Sequence, residues 1–219
     1  MQAEVGRKEE EEEEEEEKME VEPKTGVSFP AKLPDGKQLC ATGLRRRKLL
    51  AFGINFYAFG MYVHIDARLK ELLKAKLGEA AEKPCKELYE AVIDGDVGIA
   101  VRLVIVFKGL TMSMVRKSFD EGLVGSLKKL TGGQKNEELI KKVMAAAKDG
   151  TKLPPGSVIE ITRLPGQVLQ AKVKDELVSK VESELLCRAY FHLYLGDDPF
   201  DKEAKERFGR TLVSSLSAP

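Results

Sequence analysis

TGLRRRKLLAFGINFYAFGMYVH, residues Thr42 to His64, joins a basic cluster (Arg45, Arg46, Arg47 and Lys48) to a nearly unbroken apolar run. Between Ile54 and Val63 both alternating sets are apolar or aromatic. One is Asn55, Tyr57, Phe59, Met61 and Val63; the other is Ile54, Phe56, Ala58, Gly60 and Tyr62. A strand with one wet face alternates apolar with polar, so this one is read as covered on both sides. With a turn centred near Ala51–Gly53 the two halves pair as a hairpin, and Arg45 falls roughly opposite Tyr57. Residues opposed across a hairpin project to one face with Cβ atoms ~5 Å apart. The pairing sets a guanidinium beside a phenol at the edge of an apolar layer. Such a pair suits one carboxylate whose tail lies among apolar side chains. An exposed basic strand end is the plain alternative for the same cluster.

N-terminal to this hairpin, Val27–Leu33 alternates and carries Pro30, which suggests an edge strand. Pro34-Asp35-Gly36-Lys37 has Pro and Gly in their favoured turn places. Residues 1–24 hold twelve Glu, nine of them consecutive, against four basic residues, a net of −8. Like charges at that density repel and bury nothing, so residues 1–24 are expected to be a disordered acidic arm, with order beginning at Thr25.

On the C-terminal side, Asp66 is placed to cap a helix carrying Leu69, Leu72, Leu73 and Leu77, stopped by Gly78. Pro84 opens a short helix to Val92, and Gly98–Phe107 reads as a second central strand. Arg102 interrupts that strand and is expected to meet a carboxylate or solvent. Thr111 caps a long helix, Met112–Leu130, with an apolar stripe of Met114, Val115, Phe119, Leu123, Leu127 and Leu130. Asn136–Lys148 reads as a further helix. Ser157–Thr162 and Val168–Val173 flank Pro165-Gly166 and pair as a hairpin. Residues 174–181 are readable either as a turn and short strand or as the opening of a helix. A helix follows from Val181 to Leu195, and Asp198 or Asp201 caps a last one through about Leu212. Hairpin-connected strands beside several helices give an α+β class: a mainly antiparallel sheet backed by helices.

The whole chain, 219 residues, carries zero formal charge, so the body balances the arm with +8. Its basic residues lie scattered between acids, which argues against nucleic acid. Three distant cysteines (Cys40, Cys85, Cys187) read as reduced thiols, and two histidines offer no zinc spacing. No metal and no cofactor is expected. No apolar run reaches the ~18 residues of a membrane span, so stable membrane insertion is not expected. G-x-S-x-G, G-x-G-x-x-G and H-E-x-x-H are absent, and no carboxylate pair stands out as an acid–base dyad. An apolar cavity with one anionic anchor suits binding better than bond-breaking.

Several long segments then resemble one plant family, that of the chalcone-isomerase fold, and its noncatalytic fatty-acid-binding branch in particular. They are EPKTGVSFP (Glu22–Pro30), TGLRRRKLLAFGINFYAFGMYV (Thr42–Val63), RLVIVFKGLTMSMVRKSFDEGL (Arg102–Leu123), LPPGSVIEITRLPGQVL (Leu153–Leu169) and SELLCRAYFHLYLGDDPFDKEAKE (Ser183–Glu206). The resemblance covers about Pro23 to Phe208. It implies an open-faced β-sandwich over residues 25–215, with a ligand cleft between sheet and helices, and makes 174–181 a turn and short strand. In the binding branch an Arg and a Tyr of the central hairpin hold a fatty-acid carboxylate; they match Arg45 and Tyr57. Phe59, Met61, Val104, Met114 and Val115 are then expected to line the tail.

The enzymes of the family have Thr in place of Tyr57. They also place a Tyr and an Asn in the segment matching Lys108–Gly125, which here holds neither. The expectation is a noncatalytic, monomeric binder of free fatty acids. Its alternative is a chalcone isomerase, or a noncatalytic partner of flavonoid enzymes. The family implies the chloroplast stroma, whereas the acidic N-terminus is the opposite of a transit peptide and leaves the cytoplasm open.

Overall fold

The structure is a computed structural model that describes residues 18–49, 52–78, 83–134 and 136–217. Its first element is a small antiparallel pair, β1 (Met19–Val21) with β2 (Ser28–Pro30). Met19 to Glu22 are therefore structured, inside the stretch expected to be a disordered arm. Local bonds explain the correction: Glu22 is buried, its carboxylate accepts from Thr25 Oγ1 at 2.5 Å and Lys24 N at 3.2 Å, and its carbonyl accepts from Gly26 N. A carboxylate with that many donors is no longer a repelling surface charge. Residues 1–17 of that arm lie outside the described residues.

The main sheet has six strands. They are β3 (Gln38–Leu49), β4 (Phe52–Val63), β5 (Ile99–Ile105), β8 (Val158–Leu164), β9 (Val168–Val173) and β10 (Glu176–Glu182). A two-residue pair, β6 (Leu110–Thr111) with β7 (Lys152–Leu153), stands apart. The order is β10-β9-β8-β5-β4-β3, every neighbour antiparallel. Residues 174–181 are thus a turn, with Lys174 and Asp175 at positive φ, and a strand. Tyr57, Phe59, Met61 and Val63 pair with Ile105, Leu103, Val101 and Ile99, and all eight belong to the main core against the helices. On the other face Tyr62 and Ala100 pack with Leu33, and Phe29 lies close over Gly60. The central strand is covered on both sides, as its pattern requires.

The helix layer comprises α1 (Ala67–Leu77), α2 (Lys86–Asp94), α3 (Met112–Leu130), α4 (Glu137–Lys141), α5 (Glu184–Leu195) and α6 (Lys202–Ser217). Asp66, Thr111 and Ser183 cap α1, α3 and α5 by accepting from Leu69 N, Met114 N and Leu186 N. Asp201, not Asp198, caps α6. Its Oδ1 accepts from Ala204 N at 3.0 Å, and its Oδ2 from Leu44 N at 3.1 Å, which fastens the helix to β3. The expected helix over Asn136–Lys148 stops after Lys141. Beyond it the chain keeps only tight i−3 turns, such as Val143 N to Ile140 O and Ala147 N to Met144 O. Ala146 N donates to Val178 O and Ser179 Oγ to Val143 O, so the backbone joins β10 instead of continuing the α-helix.

Both long edges of the sheet are consequently covered in part. The β10 edge meets residues 143–146. At the β3 edge Arg207 donates to Thr42 O, and Thr211 Oγ1 to Cys40 O at 2.9 Å.

Candidate functional site

Arg45 and Tyr57 are direct partners across β3 and β4. The register slips beside them: Arg45 pairs with Tyr57 but Arg46 with Asn55, which leaves Phe56 as the extra residue on β4. Bulges of this kind re-aim side chains and concentrate near functional sites. The Phe56 carbonyl accepts from both Val106 N and Phe107 N, and its ring stacks on Phe107 at 5.5 Å.

The half-buried Arg45 guanidinium lies over the ring of Phe200, 3.6 Å from its centroid. Phe200 occupies the α5–α6 connection, where its N–H donates to Leu193 O, and its ring meets Tyr194 edge-on at 5.2 Å. Arg45 Nε is buried and has no hydrogen-bond partner. Orphaned buried donors are rare and costly, the more so on a charged group. Arg46 is exposed. Arg47 reaches Glu121 of α3 at 2.6 Å across the sheet–helix boundary.

Tyr57 is buried, and its hydroxyl lies 3.4 Å from that of Tyr194; Tyr194 lies 3.4 Å from Tyr190. Burial pushes the Tyr57 phenol above its ordinary value; the bond with Tyr194 and the charges of Arg45 and Arg47 offset only part of that push. Burial drives Tyr190 and Tyr194 well above theirs. Phe59 meets Tyr194 edge-on at 5.1 Å, and Phe119 of α3 stacks on Tyr190 at 5.8 Å.

The expected residues divide. Arg45, Tyr57, Phe59 and Met61 share the helix-facing side of the hairpin, and Val115 packs into the same core. Val104 does not join them: it pairs with Ala58 and Val158, on the opposite face from Tyr57. Alternation is the reason, since Leu103 and Ile105 take the inner side. Met114 is 39% exposed on the shoulder of α3, because Met112, Val115 and Phe119 claim its inner stripe. Arg102 meets Glu160 at 3.2 Å, a carboxylate as expected.

Tyr190, Tyr194 and Phe200 were not among the expected site residues, and Phe119 was expected only as part of the apolar stripe of its helix. Tyr190 and Tyr194 stand at i, i+4 spacing on one helix face, and a buried phenol demands a polar partner; that spacing is a usable signal.

Two cavities lie away from the pair. One of ≈ 620 Å³ is lined by Tyr89, Lys129, Arg188, His192 and Lys205 among others. The other, ≈ 610 Å³, lies by His64, Arg68, Leu69, Val97 and Pro165. Around Tyr57, the rings of Phe59, Tyr190, Tyr194 and Phe200 pack one against another between sheet and helices. Among the described residues no group of three or more His, Cys, Asp or Glu is placed to hold a metal, and no helix is long and apolar enough to cross a membrane.

An antiparallel sheet under a helix layer, with an unpartnered guanidinium nitrogen and a buried phenol at their junction, defines an α+β domain with one candidate anion site. The chain belongs to the chalcone isomerase-like family, whose model matches residues 22–208. It is 52% identical over 196 residues to chalcone isomerase-like protein 1 of Humulus lupulus, covering 89% of this chain and 91% of that one. It is 39% identical over 192 residues to fatty-acid-binding protein 1 of Arabidopsis thaliana, covering 86% and 68%. Among solved structures, a crystal structure of an Arabidopsis thaliana fatty-acid-binding protein superposes with a TM-score of 0.85 at 36% identity, covering 92% of this chain and all of that one.

Proposed function

We propose that this protein binds free fatty acids without transforming them, with Arg45 and Tyr57 holding the carboxylate. The observation that carries the reading is the buried, unpartnered Nε of Arg45 directly across the hairpin from Tyr57. An anion there completes the charged hydrogen bonding that the fold leaves open. Guanidinium is the natural partner for a carboxylate, since its planar fork offers parallel donors. The acyl tail then replaces or parts the aromatic layer formed by Phe59, Tyr194 and Phe119, with apolar transfer of ~0.8 kcal/mol per CH₂ favouring long tails. Opening of that layer is part of binding. Phe200, held on a connection between helices rather than within one, is the group placed to move. Relatives named as fatty-acid-binding proteins support the reading.

Catalysis of chalcone cyclisation is disfavoured by the segment Lys108–Gly125, which holds no Tyr and no Asn to orient the ketone. The bonds that residues 143–146 and α6 make to the two edge strands blunt pairing with a second copy and favour a monomer. Mass spectrometry of lipid extracted after gentle purification tests the proposal: near-stoichiometric free fatty acid is expected, together with cyclisation of added chalcone at the spontaneous rate. Protein that neither carries nor takes up fatty acid, or that accelerates cyclisation well beyond that rate, overturns it.

A further inference from the structure

Tyr57, Tyr194 and Tyr190 form a line of three hydroxyls, 3.4 Å apart at each step and fully enclosed. Among the described residues none of the three hydroxyls has another partner. Each phenol carries one O–H donor and two acceptor lone pairs. Two hydroxyl-to-hydroxyl contacts use two of the three donors, so one O–H remains unspent. If the line runs from Tyr190 through Tyr194 to Tyr57, that spare donor is on Tyr57, the cross-strand partner of Arg45, whose Nε is unpartnered. If it runs the other way, the spare donor is on Tyr190, at the far end; if both outer hydroxyls donate to Tyr194, which can accept twice, it is on Tyr194.

We propose that this line is a polarised relay which makes Tyr194 and Tyr190 positioning residues for carboxylate recognition, selecting acids over neutral head groups of the same length. The inference rests on the fatty-acid reading of Arg45 and Tyr57 given above. An anion at Tyr57 accepts and never donates, so it selects the one orientation in which all three donors point towards it. Aligned hydrogen bonds in a low-dielectric interior strengthen one another. A fatty alcohol both donates and accepts, so it selects neither direction.

The spacing fits this role. Separations of 3.4 Å are longer than the ~2.7–2.8 Å of a relaxed O–H···O bond, and a bound anion draws such a slack line tight. Burial keeps all three phenols protonated, so the line always has its donors. These are three of only five tyrosines in a chain without tryptophan, so tyrosine absorbance and emission report on the line directly.

The test titrates laurate and dodecanol into the full chain and into Tyr194→Phe, Tyr190→Phe, Tyr57→Phe, the double variant Tyr57→Phe/Tyr194→Phe, and Arg45→Ala. Tyr194→Phe is expected to weaken laurate about fivefold and dodecanol hardly at all, with Tyr190→Phe doing the same about twofold. Once Tyr57 is Phe, adding Tyr194→Phe should change laurate affinity no further, because the line no longer ends at the ligand. Equal losses for acid and alcohol, or additive losses in the double variant, reveal plain packing and overturn the relay. A neutral Tyr194→Phe beside a tenfold loss in Arg45→Ala overturns the relay alone. Failure of the unaltered protein to bind laurate, or indifference to Arg45→Ala, overturns the relay together with the anchor. Phe keeps the ring stacking, and Tyr190→Phe probes the relay independently should Tyr194→Phe fold poorly.

Discussion

Arg163 and Arg45 each bring a guanidinium to the boundary between sheet and helices, and they are held in opposite ways. Arg163, on β8, is wholly buried. Its Nε donates to Val97 O at 2.8 Å, Nη1 to Ile93 O at 2.8 Å and Nη2 to Val92 O at 2.6 Å. Those acceptors are the last carbonyls of α2 and the loop beyond it, groups no helical N–H can reach. Burial lowers the pKa to about 10, which still leaves the group charged. Arg45 is less buried yet has an orphaned Nε and an aromatic ring where a carboxylate could lie. A buried charge satisfied entirely by its own chain holds a fold together. One left short of a partner is arranged for something that comes and goes.

The largest expected effect tests the first half of that contrast. Arg163→Met should cost about 3–5 kcal/mol of stability in denaturant unfolding, because three buried carbonyls lose their donors at once. Laurate affinity, measured well below the melting transition, should stay as it was. A loss below about 1 kcal/mol would mean that water or a rearranged loop can serve those carbonyls.

Arg45→Ala should show the mirror image: at least a tenfold loss of laurate affinity, ~1.4 kcal/mol, with stability hardly changed. Tyr57→Phe should cost less, on the order of 1 kcal/mol of binding, since one neutral donor is lost. Fatty alcohol should bind the native protein less well than the acid, and Arg45→Ala should erase most of that preference. If Arg46→Ala weakens laurate more than Arg45→Ala, the anchor has been given to the wrong residue of the bulge.

The two regions should also part in acid. Burial raises the Asp96 pKa, but bonds from Gly166 N and Gln167 N, with the charges of Arg68 and Arg163, outweigh it, and the carboxyl sits below its usual value. A folded pKa below the unfolded one stabilises the protein above about pH 3.8, and that contribution disappears as the pH falls through the depressed value. Asp96→Asn should therefore flatten the acid limb of the stability profile. An unchanged limb would show that the Arg163 end of the molecule is not what acid loosens first.

How much of this was readable beforehand follows from particular residues. The Arg45–Tyr57 pairing was legible only in outline: the register nearest the turn, Leu49–Phe52 to Arg46–Asn55, extrapolates to Arg45–Phe56, and it is the bulge at Phe56 that brings Tyr57 opposite Arg45. The N-caps Asp66 and Thr111 were legible because capping is a local bond. Val104 was not, because a strand apolar on both faces carries no alternation to say which set faces the helices. The failed helix after Lys141 was decided by Val178 and Ser179, distant in the chain, which claimed its backbone. Arg163 gave no local sign, since its three acceptors lie far upstream in the chain.

The smallest expected effect concerns Arg47, which stands between the two cases. Its bridge to Glu121 is short, 2.6 Å, but the side chains are 32% and 48% exposed, so solvent screens it. Arg47→Gln should cost about 0.2–1 kcal/mol of stability at low salt, and less as salt is added. Its charge acts on the Tyr57 phenol only as a minor influence, behind burial, Tyr194 and Arg45. For an incoming carboxylate it should therefore steer more than hold: slower association at low ionic strength, and a change of less than about threefold in equilibrium affinity, well under the tenfold step expected at Arg45. Stopped-flow titration at two salt concentrations separates the two. An Arg47→Gln variant that loses as much affinity as Arg45→Ala, at both salt concentrations, would place the anchor two residues further along β3. The contrast with Arg163 would then rest on a bridged arginine rather than an orphaned one.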